Sequence, residues 1–299
     1  MSRKMIKNVE AFVKIKEKTA ESAKEAREST DAQTLKYVGK MELLETDEHR
    51  TFGPQTLKYV GEMEVLGTDG HREFGYTTVM AVVGDRFLVA VDSKKECLRC
   101  FDMDSGKQKV KWYESNFLLW DVTAIPGNRV AVSSANEIWF LRVTEKGDLL
   151  FENKINVKKR CYGIASSGDN LIVCYQYPDS GVQILDMKGN MIKEFKNDGA
   201  GKKLFELPTS VAVSPDHITI YIVDEAKNTV ISLTQDGHVL GVVMENLLCG
   251  TGITVDSAGR LYVCGYGTVL LVFPETRNVI PLLEIKDVVT NLTCVAICD

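Results

Sequence analysis

From residue 76 onward the chain alternates short apolar bursts with polar turns. Runs of Val, Ile, Leu and Tyr four to seven residues long are bounded by Gly, Asp, Asn and Pro, the signature of β-strands rather than helices. A longer period lies above this. Inner-strand candidates begin near Gly75-Tyr76, Trp120-Asp121, Cys161-Tyr162, Leu207-Pro208, Cys249-Gly250 and Thr290-Asn291, at intervals of roughly 40 to 46 residues. Each unit holds four strands; in the unit that opens at residue 207 they are Ser210–Val213, Ile218–Val223, Thr229–Leu233 and Val239–Val243. The first strand of each unit is small and apolar (Tyr-Gly-Ile-Ala-Ser, Ser-Val-Ala-Val-Ser, Gly-Ile-Thr-Val-Asp) and the second is the most apolar (Phe-Leu-Val-Ala-Val, Leu-Ile-Val-Cys-Tyr). Four antiparallel strands repeating at this length predict propeller blades: one blade cannot bury both its faces, and radial neighbours bury them for it. Two stacked sandwiches would not explain so even a period.

Five complete blades are predicted within 76–289, and a sixth begins at Asn291-Leu-Thr-Cys-Val-Ala-Ile-Cys. The run Leu57–Leu66 stands where a ring-closing outer strand is expected, which leaves two strands of the sixth blade to find. Residues 33–53 and 55–75 are a tandem duplication, identical at 16 of 21 positions, so Leu35–Leu44 is a spare copy able to fill part of that gap. Unfilled, the open edges would invite aggregation.

Residues 1–30 have another texture, with no Gly, no Pro, and eight basic against five acidic side chains. Ile6, Val9, Val13, Ala20 and Ala23 fit helical spacing. The expectation is a short N-terminal α-helix, either a solvated helix or a coiled-coil remnant able to pair two copies. The expected organisation is 1–30 helical, 31–54 an extra copy of the duplicated strand segment, and 55–299 an all-β propeller.

Composition changes this picture little. Thirty-six Lys and Arg against 41 Asp and Glu give a net charge of −5, which argues against a protein that coats nucleic acid. No run approaches 18 apolar residues and the N-terminus does not read as a secretory signal, so neither membrane insertion nor export is expected. Eight cysteines in 299 residues read as reduced thiols of a cytoplasmic protein.

Leu207-Pro-Thr-Ser-Val-Ala-Val-Ser-Pro-Asp followed by Ile220-Tyr-Ile-Val-Asp-Glu-Ala-Lys-Asn-Thr resembles an NHL repeat, as does Gly252-Ile-Thr-Val-Asp-Ser-Ala-Gly-Arg-Leu-Tyr-Val-Cys. Asp224 and Asn228 match the family's Asp and Asn positions, while Thr229 departs from its usual Arg. A helix followed by such a propeller resembles the C-terminal half of TRIM-NHL proteins, especially invertebrate ones, over about three quarters of the chain. The resemblance implies recruitment of a protein partner or ubiquitination substrate. The ligase chemistry of that family lies in zinc RING and B-box modules that this sequence does not contain.

Catalytic and metal motifs are weak. Cys97-Leu-Arg-Cys100 lacks a second pair for zinc and sits in a predicted third strand. Cys294 and Cys298 read as buried thiols, and His217 and His238 fall in turns. Gly199-Ala-Gly201-Lys202 lacks the spacing of a phosphate loop and reads as a loop between blades. A calcium-dependent six-bladed hydrolase would need several axial carboxylates, and the inner strands offer Asp121 and Asp256. No cofactor and no metal is expected. What remains is the rim formed by the loops after each second strand and between blades. It is near neutral, with one basic cluster, Lys158, Lys159 and Arg160, and with Tyr113, Tyr175, Tyr177 and Tyr266 nearby beside Asp224 and Asn228. Aromatics there suit a protein contact; the basic run keeps RNA as an alternative ligand.

Overall fold

The computed structural model describes residues 77–92, 96–103, 111–114, 118–176, 179–247, 250–265, 268–284 and 296. It also describes five short strands nearer the N-terminus: β1 (Lys7–Val9), β2 (Phe12–Ile15), β3 (Gln33–Val38), β4 (Met41–Leu43) and β5 (Gly61–Val65). Five four-stranded antiparallel sheets follow, each a meander in chain order. The first holds β6 (Thr77–Val83), β7 (Phe87–Asp92), β8 (Cys97–Asp102) and β9 (Lys111–Glu114). The second holds β10 (Asp121–Ile125), β11 (Arg129–Ser134), β12 (Glu137–Val143) and β13 (Leu149–Asn156). The third holds β14 (Cys161–Ser167), β15 (Asn170–Tyr175), β16 (Gly181–Asp186) and β17 (Met191–Phe195). The fourth holds β18 (Pro208–Val213), β19 (Thr219–Asp224), β20 (Thr229–Thr234) and β21 (Val239–Met244). The fifth holds β22 (Gly252–Val255), β23 (Leu261–Gly265), β24 (Thr268–Phe273) and β25 (Asn278–Glu284).

These sheets are the blades of a propeller. Their first strands pack on one another in sequence, β6 on β10, β10 on β14, β14 on β18 and β18 on β22. All five line one axial cavity of about 400 Å³, which Ala296 also reaches. Burial follows the expected gradient. The second strands β7, β11, β15, β19 and β23 are buried along nearly their whole length, whereas outer strands such as β13 and β17 are largely exposed on one face. A strand covered on both faces reads as a continuous apolar run, which is why the second strands are the most apolar of each repeat. Apolar clusters fill the junctions between successive blades, with Val89, Leu119, Trp139 and Leu141 between the first two and Phe195, Phe205, Ile222 and Leu233 between the third and fourth.

The N-terminal expectation needs correction where it is described. Lys7–Val9 and Phe12–Ile15 are strands, not helix, and no helix occurs among the described residues. Val9, Phe12, Val13 and Ile15 are β-branched or aromatic and gain more from a ladder than from a short helix. β2 pairs with β3, and β3 pairs in turn with β5. The duplication therefore pairs with itself, Gln33–Tyr37 of the first copy against Gly61–Val65 of the second. The described residues give this three-stranded sheet and no four-stranded sixth blade; of the expected inner strand 291–298, Ala296 alone is described.

Candidate functional site

The rim that carries the loops after second strands and between blades is built around the junction of the second and third blades. Lys158, Lys159 and Arg160 follow β13 and lead into β14. Lys158 and Arg160 are exposed, and Lys159 is half-buried. Lys159 does not face solvent as a free cation. Its Nζ lies 2.9 Å from Glu194 Oε1 and 3.9 Å from the centre of the Tyr175 ring. Glu194 also accepts from Gln183 Nε2 at 2.7 Å and stands 3.4 Å from Lys196 Nζ, which pairs with Asp179 at 3.1 Å. Burial would raise the Glu194 carboxyl, but the hydrogen bonds from Lys159 and Gln183 and the nearby Lys159 charge outweigh it and hold it at about 2. The same burial pushes the Lys159 ammonium below its ordinary value. Two lysines and two carboxylates thus form a closed network, and the basic run contributes Lys158 and Arg160 alone to the rim's free charge.

Arg160 lies over two aromatics. Its Cζ is 5.1 Å from the Trp120 ring and 5.6 Å from the Tyr162 ring, and the two rings are 4.9 Å apart at 47°. Backbone bonds fix this cluster, with Trp120 N–H donating to the Ser133 carbonyl and Ser133 Oγ donating to the Tyr162 carbonyl. The Trp120 indole N–H is buried without an acceptor among the described residues. Leu118, two residues earlier, is 46% exposed. An arginine stacked on a Trp–Tyr pair beside an exposed leucine has the residue types that anchor protein contacts.

The other sequence-predicted rim residues are placed differently. Tyr175 is fully buried beneath Lys159, and burial and Glu194 raise its hydroxyl well above the usual tyrosine range. Asp224 is fully buried, its Oδ2 accepting from Glu206 N–H at 2.8 Å and its Oδ1 from Leu207 N–H at 3.0 Å. Asn228 closes the turn after β19 in the left-handed region at φ 54°. Tyr113 lies in β9. Tyr177 and Tyr266 lie outside the described residues, as do Cys294 and Cys298. The sequence reading missed Leu118, Trp120, Tyr162 and Glu194. A signal for two of them was present: an aromatic recurs where blades begin, at Tyr76, Trp120 and Tyr162.

The motifs set aside on spacing are structural. Cys97 and Cys100 are buried thiols, as are Cys161, Cys174 and Cys264. Gly199–Lys202 is a turn between blades, closed by Asp198 Oδ1 accepting from Ala200 and Lys202 N–H. His217 and His238 do lie in turns. Of the axial carboxylates, Asp256 is used by its own turn and by Arg260, and among the described residues no three His, Cys, Asp or Glu side chains converge on a metal position.

Asp121 is the ionisable group of interest at the axis. It lines the cavity, is 7% exposed, and accepts from Val122 N–H at 2.7 Å and Ile164 N–H at 2.8 Å, the second tying blade two to blade three. Burial outweighs these bonds and raises its carboxyl from 3.8 to about 7. The folded state then holds a proton that the unfolded chain has lost, so this group's contribution to stability is intact below about pH 4 and falls as pH rises to about 7. At about 1.36 kcal/mol per unit, the wild type loses on the order of 2–3 kcal/mol from this group between pH 5 and pH 8. Urea unfolding of wild type and Asp121→Asn at both pH values checks this: the gap between them should move by that amount in the variant's favour at pH 8. A pH-independent gap refutes it.

No family model and no curated protein matches the chain. Solved structures do. A chain in the crystal structure of a nidogen–laminin complex superposes with a TM-score of 0.66 at 12% identity, covering 98% of each chain. Luciferin-regenerating enzyme gives 0.53 at 15% identity over 72% of this chain and 77% of its own. Virginiamycin B lyase from Staphylococcus aureus gives 0.52 at 14% identity over 73% of this chain and 72% of its own. Identities this low establish the fold: the chain is a β-propeller, among neighbours that include both enzymes and a component of a protein complex.

Proposed function

We propose that this chain is a non-enzymatic, cytoplasmic propeller that binds a protein partner through the rim patch of Leu118, Trp120, Arg160 and Tyr162, with Lys158 at its edge. In this reading it is of TRIM-NHL type, the partner being a ubiquitination substrate or an adaptor, and the propeller of 55–299 is closed with help from the sheet of β2, β3 and β5, whose first two strands come from outside that range. Ala296 at the axial cavity supports that closure, and the buried thiols suit a reducing compartment. The observation that carries the reading is the closed network of Lys159, Glu194, Lys196 and Asp179 beside the stacked Arg160–Trp120–Tyr162 cluster. It replaces the strongly positive face that RNA binding needs with an aromatic anchor. The nidogen–laminin neighbour is a propeller found in a protein complex, which fits the reading without naming a partner.

The test is selection of peptides from a displayed library on the intact chain, followed by binding to Leu118→Asp and Arg160→Ala variants and by RNA retention across a salt series. Selected peptides should lose at least about tenfold in affinity on either substitution, as truncation of an interface anchor does, and RNA should not be retained at physiological salt. Salt-sensitive RNA retention abolished by Lys158→Glu with Arg160→Glu would overturn the reading in favour of RNA.

A further inference from the structure

The opposite rim, where first strands turn into second and third into fourth, holds a cleft of about 720 Å³ between blades four and five. Its volume is in the range of small-ligand sites. Leu240 and Val242 from β21 and Phe273 at the end of β24 form an apolar wall, and Tyr221 lies deeper. The cleft lies beside a turn that departs from the form used in three other blades. In blades two, three and four the turn from third to fourth strand places a glycine in the left-handed region: Gly147 at φ 77°, Gly189 at 85° and Gly237 at 95°. All three receive a side chain from the preceding blade. A methyl added to Gly147 would stand 3.1 Å from the Phe87 ring, one added to Gly189 3.2 Å from Ile155, and one added to Gly237 2.8 Å from the Phe195 ring.

Blade five breaks the pattern. Its turn reads Pro274-Glu-Thr-Arg277, and Arg277 takes the left-handed position at φ 57°. Its guanidinium reaches across to β21 at Gly241, where a methyl would stand 3.6 Å from Nη2, and Gly241 itself has φ 124°. Arg277 is exposed and has no ion-pair partner among the described residues. Its neighbour Arg260, by contrast, is held by Asp256. Asp216 at the cleft is likewise committed, to Ser214 Oγ and Ile218 N–H.

We propose that this cleft binds a carboxylate with an apolar body, Arg277 donating to the carboxylate and Leu240, Val242 and Phe273 covering the body. One guanidinium over an apolar wall suits a monoanion, since a phosphate would ask for more donors. The carboxylate belongs either to a free organic acid or to the C-terminal residue of a peptide. Glu275 on the same turn opposes it and tunes affinity downward.

Calorimetric titration of the intact chain with 3-phenylpropionate and with N-acetyl-Gly-Phe, each against its amide, tests this. Both variants needed are mild. Arg277→Gly places at φ 57° the residue that adopts it without strain and should keep the fold, yet weaken the acids by about tenfold or more, the scale of a charge-assisted pair. Glu275→Gln should tighten them by about threefold. An acid bound more tightly than its amide, and lost in Arg277→Gly, supports the proposal, and the tighter acid identifies the source. Equal binding of acid and amide, retention in Arg277→Gly, or no binding at all overturns it.

Discussion

Replacing Gly163 by alanine is expected to destabilise the fold by about 3 kcal/mol, the upper part of the range for overpacking a close contact. Gly163 lies in β14, where the ladder to β15 is interrupted between Cys161 and Ile164. There the chain leans on blade four: an added methyl would stand 2.7 Å from the Thr209 carbonyl oxygen and 2.9 Å from Ser210 Cα. Both atoms are backbone of the neighbouring inner strand, so no side-chain rotation relieves the clash. Either β18 moves outward or β14 loses its place, and each separates two blades at the axis. Gly199 is the control, because its methyl would meet nothing within 4 Å, and Gly199→Ala should stay within about 0.5 kcal/mol of wild type. Urea midpoints at constant slope measure both. A loss under about 1 kcal/mol for Gly163→Ala would mean that the inner strands do not approach so closely, and the radial packing of blades three and four would have to be redrawn.

Why this contact was illegible in the sequence while the blades were not follows from where each signal resides. The blades rest on local pattern. Leu171–Tyr175 and Ile220–Val223 are apolar because both sheet faces are covered, and the turn glycines at 147, 189 and 237 are demanded by positive φ. Both facts are written within a few residues. The site rests on meetings between blades: Lys159 with Glu194, Asp121 with Ile164 N–H, Arg160 with Trp120. Those partners are 35 to 43 residues apart, about one repeat, and the twist of each blade decides which side chains meet. Tyr175 illustrates the cost. As a tyrosine near a loop it reads as a contact residue, but it is the last residue of a second strand and is sealed under its neighbour's lysine. The N-terminal strands were misread for a related reason. Val9 and Val13 satisfy helical spacing, and it is their distant partner strands, β4 for Val9 and β3 for Val13, that make ladders of them.

Asp224→Ala should cost about 4 kcal/mol, more than any other single change considered. The side chain is 0% exposed, and three backbone N–H groups converge on it: Glu206 on Oδ2, Leu207 and Lys227 on Oδ1, the last at 3.3 Å. Two of these belong to the segment that enters blade four and the third to the turn after β19, so one carboxylate fixes the chain's arrival at the inner strand to its departure from the second. Alanine leaves the donors without that acceptor in the interior, at about 1–3 kcal/mol each where water cannot replace it. Asn keeps one acceptor oxygen and should lose about half as much. Asp186 is the contrast. Its carboxylate also gathers two turn N–H groups, of Lys188 and Asn190, at 2.8 Å each, but in solvent, and Asp186→Ala should leave the urea midpoint close to wild type because water takes its place. The comparison separates a carboxylate that ties the blade together from one that water can replace. If Asp224→Ala unfolds at a markedly lower urea concentration, the carboxylate is a tie within the blade and partner binding must be sought at Leu118, Trp120, Arg160 and Tyr162. If instead stability is kept and peptide binding is lost, Asp224 is a contact that opens to the ligand, and the rim patch proposed above is in the wrong place.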